Sequence, residues 1–350
     1  MQLPGLIDPH VHMREPGATH KEDWGSGTAA ALAGGFTLLL AMPNTTPPVT
    51  DQESFQQALS AAQHKARCDY AQYLGAGSQN AQLLPELAPH SAGLKMYLDQ
   101  TYGPLRLDEI HLWKDHFTHW PTSRPIVAHA EGKTLAALIL MSALFNRPVH
   151  LAHVSTQEEI LLIRMAKERG LKVTCEVTPH HLFLTREDVP TLGSGRAEVR
   201  PRLASRADLQ ALWANLSVID CFATDHAPHT LEEKDSAEPP PGFPGLETAL
   251  PLFLTAVDAG RLGVDDLVSR MHTNPRKIFG LPEQAQTWIE IDPDQKWELH
   301  AQNNLTRCGW TPFEGWKVRG KVLRVHLRGN TVYDHDQVLA PPGYGLNVRQ

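Results

Sequence analysis

Along the first 230 positions, apolar residues recur in short, near-continuous runs rather than in strict alternation. The runs are Leu3–Asp8, Phe36–Met42, Tyr70–Leu74, Leu94–Leu98, Pro125–Ala128, Val149–Ala152, Lys172–Val177 and Val218–Ala223. Strands buried on both faces read this way. Between most of them lie segments with helical spacing, among them Asp51–Ala66, Leu107–Trp120, Lys133–Phe145, Thr156–Arg169 and Ser205–Asn215. Gly170 closes one of these helices just before the next strand. Eight strand–helix units predict an α/β fold, a (β/α)8 barrel of the TIM type, with an open doubly wound sheet as the alternative. The reactive residues favour the barrel. His10 and His12, Asn44, Lys95, His129, His153 and Asp225 fall at or just after the C-terminal ends of different runs. A barrel gathers those ends around one mouth, whereas an open sheet spreads them along an edge.

Two stretches break the rhythm. Pro179–Arg202 is a long insertion after the seventh run, and Thr230–Gly245, rich in Pro, Gly and acidic residues, reads as a loop over the mouth. Helical spacing resumes at about Leu246–Ala259 and Val264–His272. From about Thr287 the pattern changes to short strands, including Val322–Arg328 and Thr331–Tyr333. The expected organisation is a barrel over residues 1–286 and a small β-rich accessory region over 287–350.

Composition adds mainly exclusions. The net charge is -7 over 350 residues and no basic stripe is visible, which argues against nucleic-acid binding. No apolar run approaches the roughly 18 residues needed to span a bilayer. The start of the chain lacks the basic and apolar regions of a signal peptide. Cys68, Cys175, Cys221 and Cys308 are far apart and form no CxxC pair, so a disulfide framework is not expected and a reducing, cytoplasmic setting fits.

The His10-Val11-His12 triplet directly follows an apolar strand. Residues i and i+2 of a strand point the same way, so both imidazoles face one side and can share a metal ion. In a chain with 19 histidines such a triplet is weak on its own. It gains meaning because His129, His153 and Asp225 mark three further strand ends. Lys95 is the odd member. It can be an ordinary rim lysine whose head reaches water. It can also be a carbamate, formed when the neutral amine adds to carbon dioxide, whose two oxygens bridge two metals.

These residues resemble the amidohydrolase superfamily and, within it, the dihydroorotases. The matching segments run from Gly5 to Gly17, Ala41 to Thr45, Ala128 to Glu131, Cys175 to His181, Ala223 to His229 and Pro241 to Glu247. The likeness is greatest to the dihydroorotase domain of the animal fused pyrimidine-synthesis protein. It implies a zinc enzyme that reversibly cyclises N-carbamoyl-L-aspartate to L-dihydroorotate, and neighbouring carbamoyl-phosphate synthetase and aspartate transcarbamoylase domains. A homodimer is also implied. One zinc would be held by His10, His12, Asp225 and carbamylated Lys95, the second by Lys95, His129 and His153, with a bridging hydroxide. Asp225 would be the general acid/base and Thr101 would act from a closing loop. Arg14, Asn44 and His229 would take the substrate carboxylate, with Arg200 and the backbone at Pro241 at the other end of the ring. Arg14 lies two residues past His12 and so should enter the same mouth, although a rim salt bridge is the plainer use for it.

Two positions depart from the animal pattern. Tyr102 stands where a Phe is usual, keeping the aromatic body. Ala152 stands where Cys often precedes the second-zinc histidine. That Cys, with the counterpart of Glu176, can hold a third metal. Alanine cannot ligate, so two zinc ions are expected. The rival readings are dihydropyrimidinase or hydantoinase, whose substrates lack the carboxylate, and a catalytically dead scaffold domain, which would have lost ligands.

Overall fold

Gly5 divides the first apolar run between two sheets. In the computed structural model, which describes residues 1–350, Gln2–Pro4 (β1) pairs antiparallel with the tail, while Leu6–Val11 (β2) enters the barrel. A Cβ at Gly5 would lie 2.3 Å from Thr37 Oγ1 and 2.8 Å from Thr287 Cγ2, so no larger residue fits without displacing them. The single strand expected over Leu3–Asp8 is thus two, because an apolar run carries no signal for a change of pairing partner.

The barrel continues with Phe36–Ala41 (β3), Asp69–Gln72 (β4), Leu74–Gly75 (β5), Leu94–Tyr97 (β6), Ile126–His129 (β7), Val149–Leu151 (β8), Val173–Val177 (β9) and Cys221–Phe222 (β10). All neighbours are parallel, in the runs β2-β3-β4 and β5 to β10. Tyr73 interrupts one strand position between β4 and β5, so eight positions remain. The ring closes where Val11 bridges His226 in parallel and His12 N donates to His226 O at 2.7 Å. An open sheet would leave those groups unpaired.

Helices Trp24–Ala33 (α1), Gln52–Lys65 (α2), Ile110–His119 (α3), Lys133–Leu144 (α4), Gln157–Glu168 (α5), Arg206–Ala214 (α6) and Ala249–Asp258 (α7) surround the strands. Side-chain caps start four of them: Asp23, Asp51, Thr156 and Ser205 each accept from the backbone N–H three residues on. Each such cap contributes about 1 kcal/mol. Gly170, at φ +76°, turns the chain from α5 into β9. The segment expected to be a loop, Thr230–Gly245, contains a short helix, Leu231–Lys234, capped by Thr230.

In the tail, Trp288–Glu298 (β11), Lys317–Leu327 (β12), Asn330–Asp334 (β13) and Gln337–Val338 (β14) join β1 in one antiparallel sheet ordered β1-β11-β12-β13-β14. α7 packs against β12, and Ile289, Val322 and Val325 share a continuous apolar core with Leu6, Phe36 and Leu250.

Candidate metal centre and anion cleft

β2 carries His10, and His12 follows its last residue. The Nε2 atoms of both lie against one oxygen, Asp225 Oδ1, at 3.2 and 3.1 Å. Lys95 is the second residue of β6 rather than its end. It is fully buried, with Nζ 3.4 Å from His10 Nε2. His129 ends β7 and His153 follows β8, with His129 Nδ1 and His153 Nε2 3.0 Å apart. The ring of His153 is 5.2 Å from that of His10. The structure therefore brings all six sequence-predicted ligand positions into one cluster. Three residues here, Arg14, His153 and Asp225, hold φ of +58°, +36° and +46°. Such backbone costs roughly 1–3 kcal/mol per residue and concentrates at functional sites.

A second layer aims the imidazoles. Glu176 in β9 accepts from His10 Nδ1 with Oε1, and its Oε2 lies 3.1 Å from His150 Nε2. Asn44 Oδ1 accepts from His12 Nδ1 at 2.7 Å. Both histidines are thereby held with Nε2 toward the cluster. Glu131 Oε1 is 3.1 Å from His129 Nε2. The orienting roles of Glu176, His150 and Asn44 were not read from the sequence. A glutamate inside an apolar strand was the one available signal.

Burial lowers His12 to about 4 and His153 well below the usual imidazole range. Both are neutral donors at neutral pH. Burial alone would raise Asp225, but His10 and His12 hold it well below the usual carboxylate range. Burial brings Lys95 down to about 8, against the pull of Glu176 and Asp225. His153 Nδ1 is buried without any hydrogen-bond partner. Converging neutral imidazoles, an ionised carboxylate and an orphaned ring nitrogen are a donor set that fits a dication of the zinc type.

Above the cluster lies a narrow cleft, lined among others by Arg14, Asn44, Thr101, Tyr102, Arg200 and Pro241. Arg14 is buried and has no carboxylate within ion-pairing distance. Its Nε donates to Pro228 O at 3.0 Å and its Nη2 lies 2.9 Å from His229 Nε2. Lys21 Nζ donates to His229 Nδ1 at 3.1 Å, and His229 Nε2 also lies 3.0 Å from Pro241 O. Burial and the cations Arg14, Lys21 and Lys234 keep this imidazole neutral. Arg200, by contrast, pairs with Glu198. Asn44 Nδ2 donates to Tyr102 O at 3.0 Å, tying the Thr101–Tyr102 loop over the cleft. The amide of Asn44 thus serves His12 and the loop.

A family model described as dihydro-orotase-like matches residues 1–83. The dihydroorotase of Pyrococcus furiosus is 36% identical over 97% of this chain and 83% of that protein. The chain belongs to the dihydroorotase family. The multifunctional protein CAD of Squalus acanthias is 57% identical over 100% of this chain, which spans 16% of that protein's length. Among solved structures, an L-hydantoinase of Arthrobacter aurescens superposes with a TM-score of 0.94 at 25% identity, covering 99% of this chain and 88% of that one. An inactive dihydroorotase-like domain of a Chaetomium thermophilum CAD-like protein gives 0.85 at 30% identity, with 99% and 98% covered. Dihydroorotases and hydantoinases share the barrel. The fold alone therefore does not separate this chain from a hydantoinase.

Proposed function

We propose that the chain is a dihydroorotase of de novo pyrimidine biosynthesis, a cyclic-amide hydrolase that interconverts N-carbamoyl-L-aspartate and L-dihydroorotate. The observation that carries this reading is Arg14, a buried guanidinium beside the ligand cluster with no carboxylate partner of its own. An unpaired buried cation is costly, and a substrate carboxylate would satisfy it. Hydantoinase and dihydropyrimidinase substrates offer no such group. Arg14, Asn44 and His229 would hold that carboxylate, and Arg200 with the Pro241 backbone the opposite end of the ring.

His10, His12 and Asp225 would hold one zinc ion and His129 and His153 a second, with Lys95 shared as a carbamate. A neutral Lys95 amine adds to carbon dioxide and releases a proton, and its lowered affinity for protons favours that form. Bound zinc supplies Lewis acidity toward the scissile carbonyl and a water of lowered pKa. Two ions rather than three fit the site, because both oxygens of Glu176 are engaged by His10 and His150 and Ala152 offers no ligand atom.

Asp225 is the proton carrier. Its Oδ1 faces His10 and His12, and its ionised state equips it to accept a proton in the hydrolytic direction and pass it to the departing ring nitrogen. In the synthetic direction the same carboxyl returns the proton as water is lost. Thr101 and Tyr102 cover the cleft and exclude bulk water. The setting proposed is cytoplasmic and homodimeric, with carbamoyl-phosphate synthetase and aspartate transcarbamoylase domains adjoining.

The inactive-domain reading is separated by assay. Purified protein should hydrolyse dihydroorotate, hold two zinc ions per chain and turn over dihydrouracil far more slowly. Lys95→Ala and Asp225→Ala should reduce turnover to background while leaving the fold. Equal rates on the two substrates, or an inactive zinc-loaded wild type, would overturn the proposal.

A further inference from the structure

Lys234 ends the short helix Leu231–Lys234 and is fully buried, yet no carboxylate pairs with it. Its ammonium donates instead to three main-chain carbonyls: Glu198 at 2.7 Å, Pro240 at 2.9 Å and Gly242 at 3.2 Å. Three donors on one atom meet three acceptors, a pairing no neutral side chain of that length can complete. The rings of Phe243 and Trp310 lie 5.6 and 5.5 Å from Nζ and close the site on its apolar side.

The acceptors belong to two segments that meet at the cleft, which Arg200 lines from one and Pro241 and Gly242 from the other. Glu198 is in the insertion after β9, pairs with Arg200 through its side chain and also accepts from Gly242 N at 3.1 Å through its carbonyl. Pro241 and Gly242 line the cleft, and Pro241 O lies 3.0 Å from His229 Nε2. The main chain of Lys234 is itself closely packed: a Cβ at Gly195 would lie 2.1 Å from Lys234 O.

The geometry points to Lys234 as a positioning residue for substrate binding, its ammonium tying the segment that carries Arg200 to the Pro240–Gly242 segment beside His229. This rests on the dihydroorotase reading above. Lys234 touches neither the ligand cluster nor the proton carrier, so it governs how the ring is gripped rather than how it is opened. Its removal should act on KM and leave kcat and metal content in place.

The test compares zinc-loaded wild type with Lys234→Met, which keeps the length and removes the charge, and Lys234→Gln, which keeps two of the donors. The expected result with dihydroorotate is a KM at least tenfold higher for Lys234→Met and an intermediate rise for Lys234→Gln. In both, kcat should stay within about threefold and zinc at two per chain. Amide hydrogen exchange should quicken in peptides covering 197–201 and 240–243 and nowhere else in the barrel. An unchanged KM in both variants, or a fall in kcat that tracks loss of zinc, overturns the inference. If Lys234→Met does not fold, Lys234→Gln decides: wild-type KM refutes it. A wild type that is inactive on dihydroorotate refutes the underlying reading instead.

Discussion

Glu176 stands behind His10 and accepts its Nδ1 proton, leaving Nε2 free for the cluster. Such orienting carboxylates typically change metal affinity by 10–100-fold. Glu176→Gln should therefore weaken zinc binding by about that factor in chelator competition, with activity recovered in excess zinc. The same measurement on wild type should saturate at two ions per chain. A third ion lost only in Glu176→Gln would reassign the residue as a ligand.

Arg14 makes the substrate choice. A hydrogen bond to a charged partner contributes about 1.5–3 kcal/mol, so Arg14→Met should raise KM for dihydroorotate by roughly 10–150-fold, while the weak turnover of dihydrouracil changes little. Arg14→Lys should recover only part of the loss, because the planar fork that also reaches Pro228 O is gone. Equal losses on both substrates would mean that Arg14 supports the loop, not the carboxylate.

Much of the barrel was legible because a strand buried on both faces writes its burial into an unbroken apolar run. The ligand positions were legible because the fold places function at strand ends. What stayed hidden depends on tertiary neighbours. The Ala-rich α1 shows no polar face, so its period does not stand out. The switch of sheets at Gly5 leaves no periodic trace. The grip of Glu176 on His10 and of Lys234 on three carbonyls joins residues dozens of positions apart or lies in a segment without periodicity.

Tyr102 gives the loop its aromatic weight. Its ring meets His229 edge-on at 5.1 Å and Arg14 at 5.1 Å, while its hydroxyl has one weak contact, Lys21 Nζ at 3.4 Å. Tyr102→Phe should thus change kcat/KM less than about threefold, since a long contact contributes well under 1 kcal/mol. Tyr102→Ala should lose at least tenfold, because it removes the cover over the cleft. A large defect in the Phe variant would show that the hydroxyl itself closes the loop.

Glu247 couples the barrel to the tail and sets a pH limit on their joint. Its carboxyl accepts from Leu305 N at 2.7 Å and Thr306 N at 3.1 Å, yet burial raises it from 4.5 to about 8 against those two bonds. An acid raised in the folded state binds more protons folded than unfolded between those values. Its contribution is complete below about 4.5, and stability falls as the pH rises toward 8. Above that the carboxylate is ionised in both states and the slope from this group vanishes. Glu247→Gln cannot titrate, so it should lack this component while Asp8, also raised to about 8, titrates in both proteins. The melting temperature of the zinc-loaded wild type should therefore decline relative to Glu247→Gln between about pH 5 and 8, with a constant gap above. A gap independent of pH across that window would show that Glu247 is ionised throughout, held by the two N–H groups at the tail.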